Sequence, residues 1–270
     1  MPSPSRTPRA RASVPAVLLV VLVALLGLAG CGEEEAGPVT TDAPADGACR
    51  VLDAEDVALP SNDTPAVDCT EPHTAETFEV DELPADLQDL DPDAREIGAF
   101  VYTSCSRSFQ RFLEADDSAV MRTVVSWAWF RPSDEAWDAG ARWYRCDVVG
   151  GGEQLTDYRD LPETAKGLLE GMPPDEWMVC ATGRTVDGSP KVPCSEPHTW
   201  RAVTTIKVGE ADEEYPGDRI VEVTTRDYCS DSVGAWLGYP ASYDFGYTFF
   251  RQAEWEAGNR RSVCWAQTQQ

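Results

Sequence analysis

Two residues of the 270-residue chain are best suited to do chemistry, its only histidines, and both stand in the same setting. His73 lies in Val67-Asp68-Cys69-Thr70-Glu71-Pro72-His73-Thr74, and His198 in Val192-Pro193-Cys194-Ser195-Glu196-Pro197-His198-Thr199. A cysteine four residues before a histidine is half of a zinc site, and two such pairs supply the ligand set of a structural zinc. A free thiolate beside an imidazole is a nucleophile. Glu71 with His73, or Glu196 with His198, could serve as an acid-base pair of an envelope hydrolase or transferase. Against these stands a plainer role, in which Pro fixes a turn while Glu and His hydrogen-bond the backbone where a strand begins. The plainer role is favoured, with a ligand-recognition role for Glu71, His73, Glu196 and His198 kept beside it. No catalytic residue, metal ligand or cofactor is assigned.

The cysteines decide much of this. Apart from Cys31 there are eight: Cys49, Cys69, Cys105, Cys146, Cys180, Cys194, Cys229 and Cys264. An even number in an exported chain reads as disulfides and leaves no spare thiol. Their gaps, 20, 36 and 41 residues and then 14, 35 and 35, point to a tandem duplication. Further blocks match in the same order. Trp137-Asp138-Ala139-Gly140-Ala141-Arg142 precedes Cys146 as Trp255-Glu256-Ala257-Gly258-Asn259-Arg260 precedes Cys264, and Phe112-Leu113 follows Cys105 as Trp236-Leu237 follows Cys229.

The elements that must position these residues follow from periodicity. Thr74 to Val80 and Thr199 to Val208 read as strands rich in Thr, Val, Ile and aromatics. Ile97, Val101, Cys105, Phe109 and Phe112 share one helix face after Asp91-Pro92-Asp93, and Val221, Cys229, Val233 and Trp236 share another after Pro216-Gly217-Asp218. Met121 to Phe130 and Tyr243 to Phe250 read as strands, and a last strand holds Cys146 or Cys264. Trp127 and Trp129 fall on one strand face, read as core in preference to a sugar-stacking platform. The fold class is α+β: two tandem disulfide-stapled modules, each a small antiparallel sheet packed against one helix. Module 1 covers 49–150 and module 2 covers 175–270. The linker, 151–174, contains a short helix at Pro162 to Glu170 that packs between the modules. Each copy's four cysteines allow three pairings. The one adopted joins Cys69 to Cys105 and Cys194 to Cys229, leaving Cys49 with Cys146 and Cys180 with Cys264.

The N-terminus fixes the compartment. Arg6, Arg9 and Arg11 precede an apolar run, Val14 to Leu26, of signal-peptide length and short for a bilayer span. Leu28-Ala29-Gly30-Cys31 resembles the lipobox of bacterial lipoproteins. That resemblance implies cleavage after residue 30, lipidation of Cys31 and attachment to membrane lipid on the outer face of the cytoplasmic membrane. Residues 31–48, with Glu33-Glu34-Glu35, read as a lipidated cysteine and acidic tether. The formal charge of −25 excludes nucleic acid as a partner. Only Lys166, Lys191 and Lys207 among the 22 basic residues are lysines, which carries no functional weight at this level.

The doubled Cys-Thr/Ser-Glu-Pro-His block, with the later Cys229 and Cys264 behind a lipobox, resembles the septum formation domain family of actinobacterial membrane proteins and lipoproteins. The first copy departs from the motif where Asp68 precedes Cys69. The resemblance implies an extracytoplasmic, membrane-attached protein related to septum formation and cell division, and carries no reaction or cofactor with it. The expected role is a non-catalytic binding module for an envelope or divisome protein or a cell-wall component, with an envelope-acting enzyme or a metal-binding lipoprotein as the alternatives.

Overall fold

The computed structural model describes residues 40–152, 155, 157–210 and 212–268. The signal segment, Cys31 with its lipobox, and the tether up to residue 39 lie outside the described residues. Module 1 contains β1 (Cys49–Arg50), α1 (Ala54–Val57), β2 (Ala75–Glu82), α2 (Arg95–Leu113), α3 (Asp117–Val120), β3 (Ser126–Phe130), α4 (Asp134–Asp138) and β4 (Trp143–Val149). Module 2 contains β5 (Val179–Ala181), β6 (Lys191–Pro193), β7 (Trp200–Lys207), α5 (Asp218–Trp236), β8 (Phe245–Thr248), α6 (Gln252–Glu256) and β9 (Arg261–Gln267). The sheets run β1-β2-β4-β3 and β6-β5-β7-β9-β8, antiparallel throughout. The α+β reading, one long helix on each antiparallel sheet, is what the molecule shows. Even the irregularities repeat: the register slips between Thr77 and Glu79 and between Ala202 and Thr204, starting in both copies four residues after the histidine.

The helices form where the apolar period runs. α2 buries Ile97, Val101, Cys105, Phe109 and Leu113, and α5 buries Val221, Thr225, Cys229 and Val233. Trp236, expected on the same face, is instead 51% exposed. Its counterpart Phe112 packs against the cluster that holds the linker residues Leu161, Ala165 and Leu169. β3 starts at Ser126 rather than Met121, because the residues before it turn toward module 2. Trp127 and Trp129 lie on the helix side of β3, half-buried, while Ala128 and Phe130 are buried on the other side.

The disulfides correct the adopted pairing. The bonds are Cys49–Cys69, Cys105–Cys146, Cys180–Cys194 and Cys229–Cys264. None joins Cys69 to Cys105, Cys194 to Cys229, Cys49 to Cys146 or Cys180 to Cys264. The helix cysteine does bond to the sheet face it covers, but on the strand paired beside β2 or β7, so its partner is Cys146 or Cys264. Cys69 and Cys194 sit in the turn that leads into β2 or β7, next to the neighbouring strand that holds Cys49 or Cys180. In the chain-entropy model, closed loops of 20, 41, 14 and 35 residues each contribute about 3 to 4 kcal/mol.

The linker contains turns rather than the expected helix at 162–170. Gly167 and Gly171 adopt φ of 71° and 73°, in the left-handed region that interrupts a right-handed helix. The segment does pack between the modules. Glu76, on β2 and buried, accepts hydrogen bonds from Ala165 N at 2.6 Å and Thr164 Oγ1 at 2.9 Å, while Gly167 N and Leu169 N donate to the carbonyls of Phe112 and Leu113. The backbone just before Cys49 is paired with β2, since Gly47 N donates to Thr77 O and Thr77 N to Ala48 O.

The two sheets solve the cover of their second faces differently. In module 2 that face is apolar: Val179, Ala181, Trp200, Ala202, Val263 and Trp265 pack in one cluster with Phe109, Leu113, Val124 and Val125 of module 1. Thr123 and Met178 form an antiparallel bridge, with Val124 N bonded to Trp177 O at 3.0 Å and Val179 N to Arg122 O at 2.8 Å. In module 1 the corresponding face buries charge. Arg145 Nε lies 3.0 Å from Asp147 Oδ2, and Thr77 Oγ1 donates to Asp147 Oδ1 at 2.7 Å. Arg50 Nη1 donates to Thr77 at 2.8 Å, and the Arg145 guanidinium stacks 4.5 Å from the Phe130 ring. Burial pushes the Asp147 carboxyl up and lowers Arg145 to about 10, as expected for ions removed from water.

Two predictions follow from this packing. Glu76→Ala leaves Ala165 N unpaired in the interior and lowers stability by about 2 kcal/mol in urea unfolding with disulfides intact, while Glu76→Gln keeps an acceptor and costs less. Tyr144 donates to Glu79 Oε1 at 2.8 Å, and burial, then its contacts with Glu79, raises its phenol from 10.0 to about 12. A raised folded value gives stability that is present below pH 10 and is lost as pH rises toward 12. Tyr144→Phe therefore flattens the fall in melting temperature over that window.

Candidate functional site

The repeated Glu-Pro-His turns have one geometry. Glu71 N donates to Asp68 O at 2.9 Å, and Glu196 N to Pro193 O at 3.0 Å. The ring of His73 places Nδ1 2.8 Å from Glu71 O, and that of His198 places Nδ1 2.8 Å from Glu196 O. A carbonyl only accepts, so Nδ1 carries the proton in both rings. Both rings are buried, and His73 Nε2 has no hydrogen-bond partner among the described residues. The next residue clips the strand to its neighbour: Thr74 N donates to Arg50 O at 3.0 Å and Thr199 N to Ala181 O at 2.8 Å.

Glu71 and Glu196, by contrast, expose their carboxylates, and each histidine meets the glutamate backbone rather than its side chain. Glu196 forms an ion pair with Arg159 at 3.3 Å. The sulfurs of Cys69 and Cys194 are held in bridges, and the two histidines lie in different modules. Among the described residues no group of three or more His, Cys, Asp and Glu is placed to hold a metal. In both copies the turn leads directly into a strand, β2 or β7.

The Trp-acid-Ala-Gly block is likewise duplicated in three dimensions. Arg142 stacks 4.2 Å from the Trp137 ring and donates to Trp137 O at 2.7 Å; Arg260 stacks 3.5 Å from the Trp255 ring and donates to Trp255 O at 2.5 Å. Gly140 and Gly258, at φ 103° and 107°, end α4 and α6 in a conformation that favours glycine. The carbonyls of Arg142 and Arg260 accept from Leu83 N and Val208 N, tying the end of β2 or β7 to the turn.

Among the described residues, two clefts open beside the packed modules, one of about 900 Å³ lined by both modules and one of about 740 Å³ lined mainly by module 2. The first is the larger of the two. One wall is the face of α2 carrying Tyr102, Ser106 and Gln110, at steps of four. The opposite wall comes from module 2 and includes Lys191, Lys207 and the turn from Gly258 to Arg260. Tyr102 rests against Gly258, where a Cβ would come within 2.7 Å of the ring, so only glycine permits this approach. On another side it meets Trp127, with ring centroids 5.3 Å apart. Asp117, the carboxylate of the lining, forms an ion pair with Arg261 across the module boundary. Lys191 Nζ donates to Val186 O at 3.1 Å and Ser189 O at 3.0 Å and lies 5.1 Å from the Trp265 ring; burial lowers its ammonium from the ordinary value.

The four candidate ligand-binding residues are thus separate from the cleft: Glu71, His73, Glu196 and His198 do not line it. Tyr102, Arg107, Lys191 and Lys207 were missed because they come together only when the modules pack. A faint signal existed, since two of the three lysines meet there.

A family model described as septum formation matches residues 36–131 and again 122–264. No curated protein and no solved structure matches.

If the histidines hold turns, His73→Ala and His198→Ala each lower stability by about 1 to 3 kcal/mol, measured by thermal or urea unfolding. An acid-base role at an otherwise sound site would instead leave the melting temperature where it is.

Proposed function

The chain belongs to the septum formation family, with both halves matched by its model, and from that premise we propose that it is a lipid-anchored, non-catalytic binding protein of the cell envelope. Four disulfides mark the folded part as extracytoplasmic. Among the described residues no helix is long and apolar enough to cross a membrane. The lipobox at Leu28-Ala29-Gly30-Cys31 supports attachment through Cys31. The partner is an envelope or divisome protein or a cell-wall component, recognised near the division site.

The observation that carries this reading is the contrast between the repeated motifs and the cleft. The motifs that resemble catalytic or metal-binding pairs are engaged in disulfides and backbone hydrogen bonds. The cleft is lined by both modules and by side chains able to bind without reacting. A site of this size with an apolar floor and a few polar groups has the form of a ligand pocket.

Photo-crosslinkers placed at Ser106 and Gln110, in the cleft, and at Thr224, exposed on α5, test the reading in cells. A discrete adduct from the cleft positions and not from Thr224 is expected. No adduct, or the same one from all three, contradicts it. Cys31→Ala releases the chain from the detergent-extractable membrane fraction if the lipid anchor is real; retention there overturns the anchor.

A further inference from the structure

We propose that the cleft between the modules binds an anionic sugar, a hydroxylated ring carrying a carboxylate or a phosphate. This deepens the binding role above and rests on it.

Charge is the first argument. The chain has 47 acidic residues against 22 basic ones, yet the cleft reverses that balance, with Arg107, Lys191, Lys207 and Arg260 against Asp117. Asp117 is already engaged by Arg261, and Lys207 by Glu210, which leaves Arg107 and Lys191 as the cations of the lining without an ion pair among the described residues, beside Arg260 on the Trp255 ring. Lys191 is held by carbonyls beneath an indole face with the Asp187 carboxylate nearby but not in an ion pair, and Arg107, exposed on α2, forms no ion pair among the described residues. Positive charge therefore gathers in a partly enclosed site where an anion is favoured. The acidic exterior repels anions elsewhere, so it works against binding outside the cleft.

The rest of the lining selects among anions. Thr103, Ser106 and Gln110 on one wall and Asn259 on the other supply donors and acceptors suited to ring hydroxyls. Met121 and Val125 offer apolar surface to the carbon-hydrogen face of a ring. The volume, about 900 Å³, exceeds what one small inorganic ion fills and suits an oligosaccharide segment. Carboxylated and phosphorylated sugars share the required chemistry.

The test uses the full chain, purified with disulfides intact in a polyoxyethylene detergent that carries no sugar headgroup. Calorimetric titrations compare trigalacturonate, glucose 1-phosphate, the neutral trimer of N-acetylglucosamine and inorganic phosphate. At least one anionic sugar is expected to bind about tenfold more tightly than the neutral trimer and than phosphate, and which one binds identifies the acid group. Arg107→Glu weakens it by about tenfold with the melting temperature unchanged, Arg107→Lys retains most of it, and Thr103→Trp blocks it by filling the cleft without altering charge. Raising NaCl from about 50 to about 500 mM weakens binding. Equal binding of the neutral trimer, indifference to Arg107→Glu and Thr103→Trp, or no binding of either anionic sugar overturns the assignment. If the sugars fail while cleft positions still crosslink a partner in cells, the binding role stands and the sugar assignment falls. If both fail, both fall.

Discussion

Module 2 has an apolar sheet face that its own helix does not cover, and the molecule is organised around covering it. Trp200, Ala202, Val263 and Trp265 point away from α5 because strand residues alternate between faces, and α5 already covers the side that holds Cys264 and Ala266. Water is excluded from that second face by the end of α2, by the chain before β3 and by the linker. A fully buried large apolar side chain contributes about 1.5 to 3 kcal/mol, so a face with two tryptophans outweighs the handful of ion pairs that also cross the boundary. The cleft is a product of the same packing, since its walls come from the two modules that this face brings together.

The duplication has therefore been used unequally. Both copies keep the bulge, the histidine turn, the stacked arginine and the helix-to-strand disulfide, which are requirements of the module itself. They diverge at the second sheet face. Module 1 places Arg145, Asp147 and Thr77 there, a buried polar network closed by its own chain through Arg50 and Asn62. Where module 1 has Arg145 and Asp147 on either side of Cys146, module 2 has Val263 and Trp265 on either side of Cys264. A buried ion pair is a poor surface for another apolar face, whereas valine and tryptophan require one. Two residues flanking a cysteine thus separate a module that ends the assembly from one that must join it.

Much of the module was legible in the sequence because it depends on local pattern. Ile97, Val101, Cys105 and Phe109 at steps of four define α2, and the doubled Cys-Thr/Ser-Glu-Pro-His block marks both copies and the family. The disulfide pairing was not legible. Any of three pairings satisfies the spacing, and the choice is made by β2 and β4 lying side by side, a long-range fact that places Cys146 under α2. The linker misled for a different reason. Its helix-like composition is overridden by Gly167 in a left-handed conformation and by Glu76, which captures Thr164 and Ala165. The cleft left only the faint trace of two rare lysines, since Arg107 and Lys191 are 84 residues apart and meet only across the module boundary.

The central claim is that the two modules form one body because module 2 cannot cover itself. Expressing residues 172–268 alone and oxidised tests this directly, by near-ultraviolet circular dichroism and urea unfolding. The account predicts that the isolated module loses the fixed environment of Trp200 and Trp265, binds a hydrophobic dye and unfolds without a cooperative transition. A sharp transition with the tryptophan signals of the intact protein would contradict it.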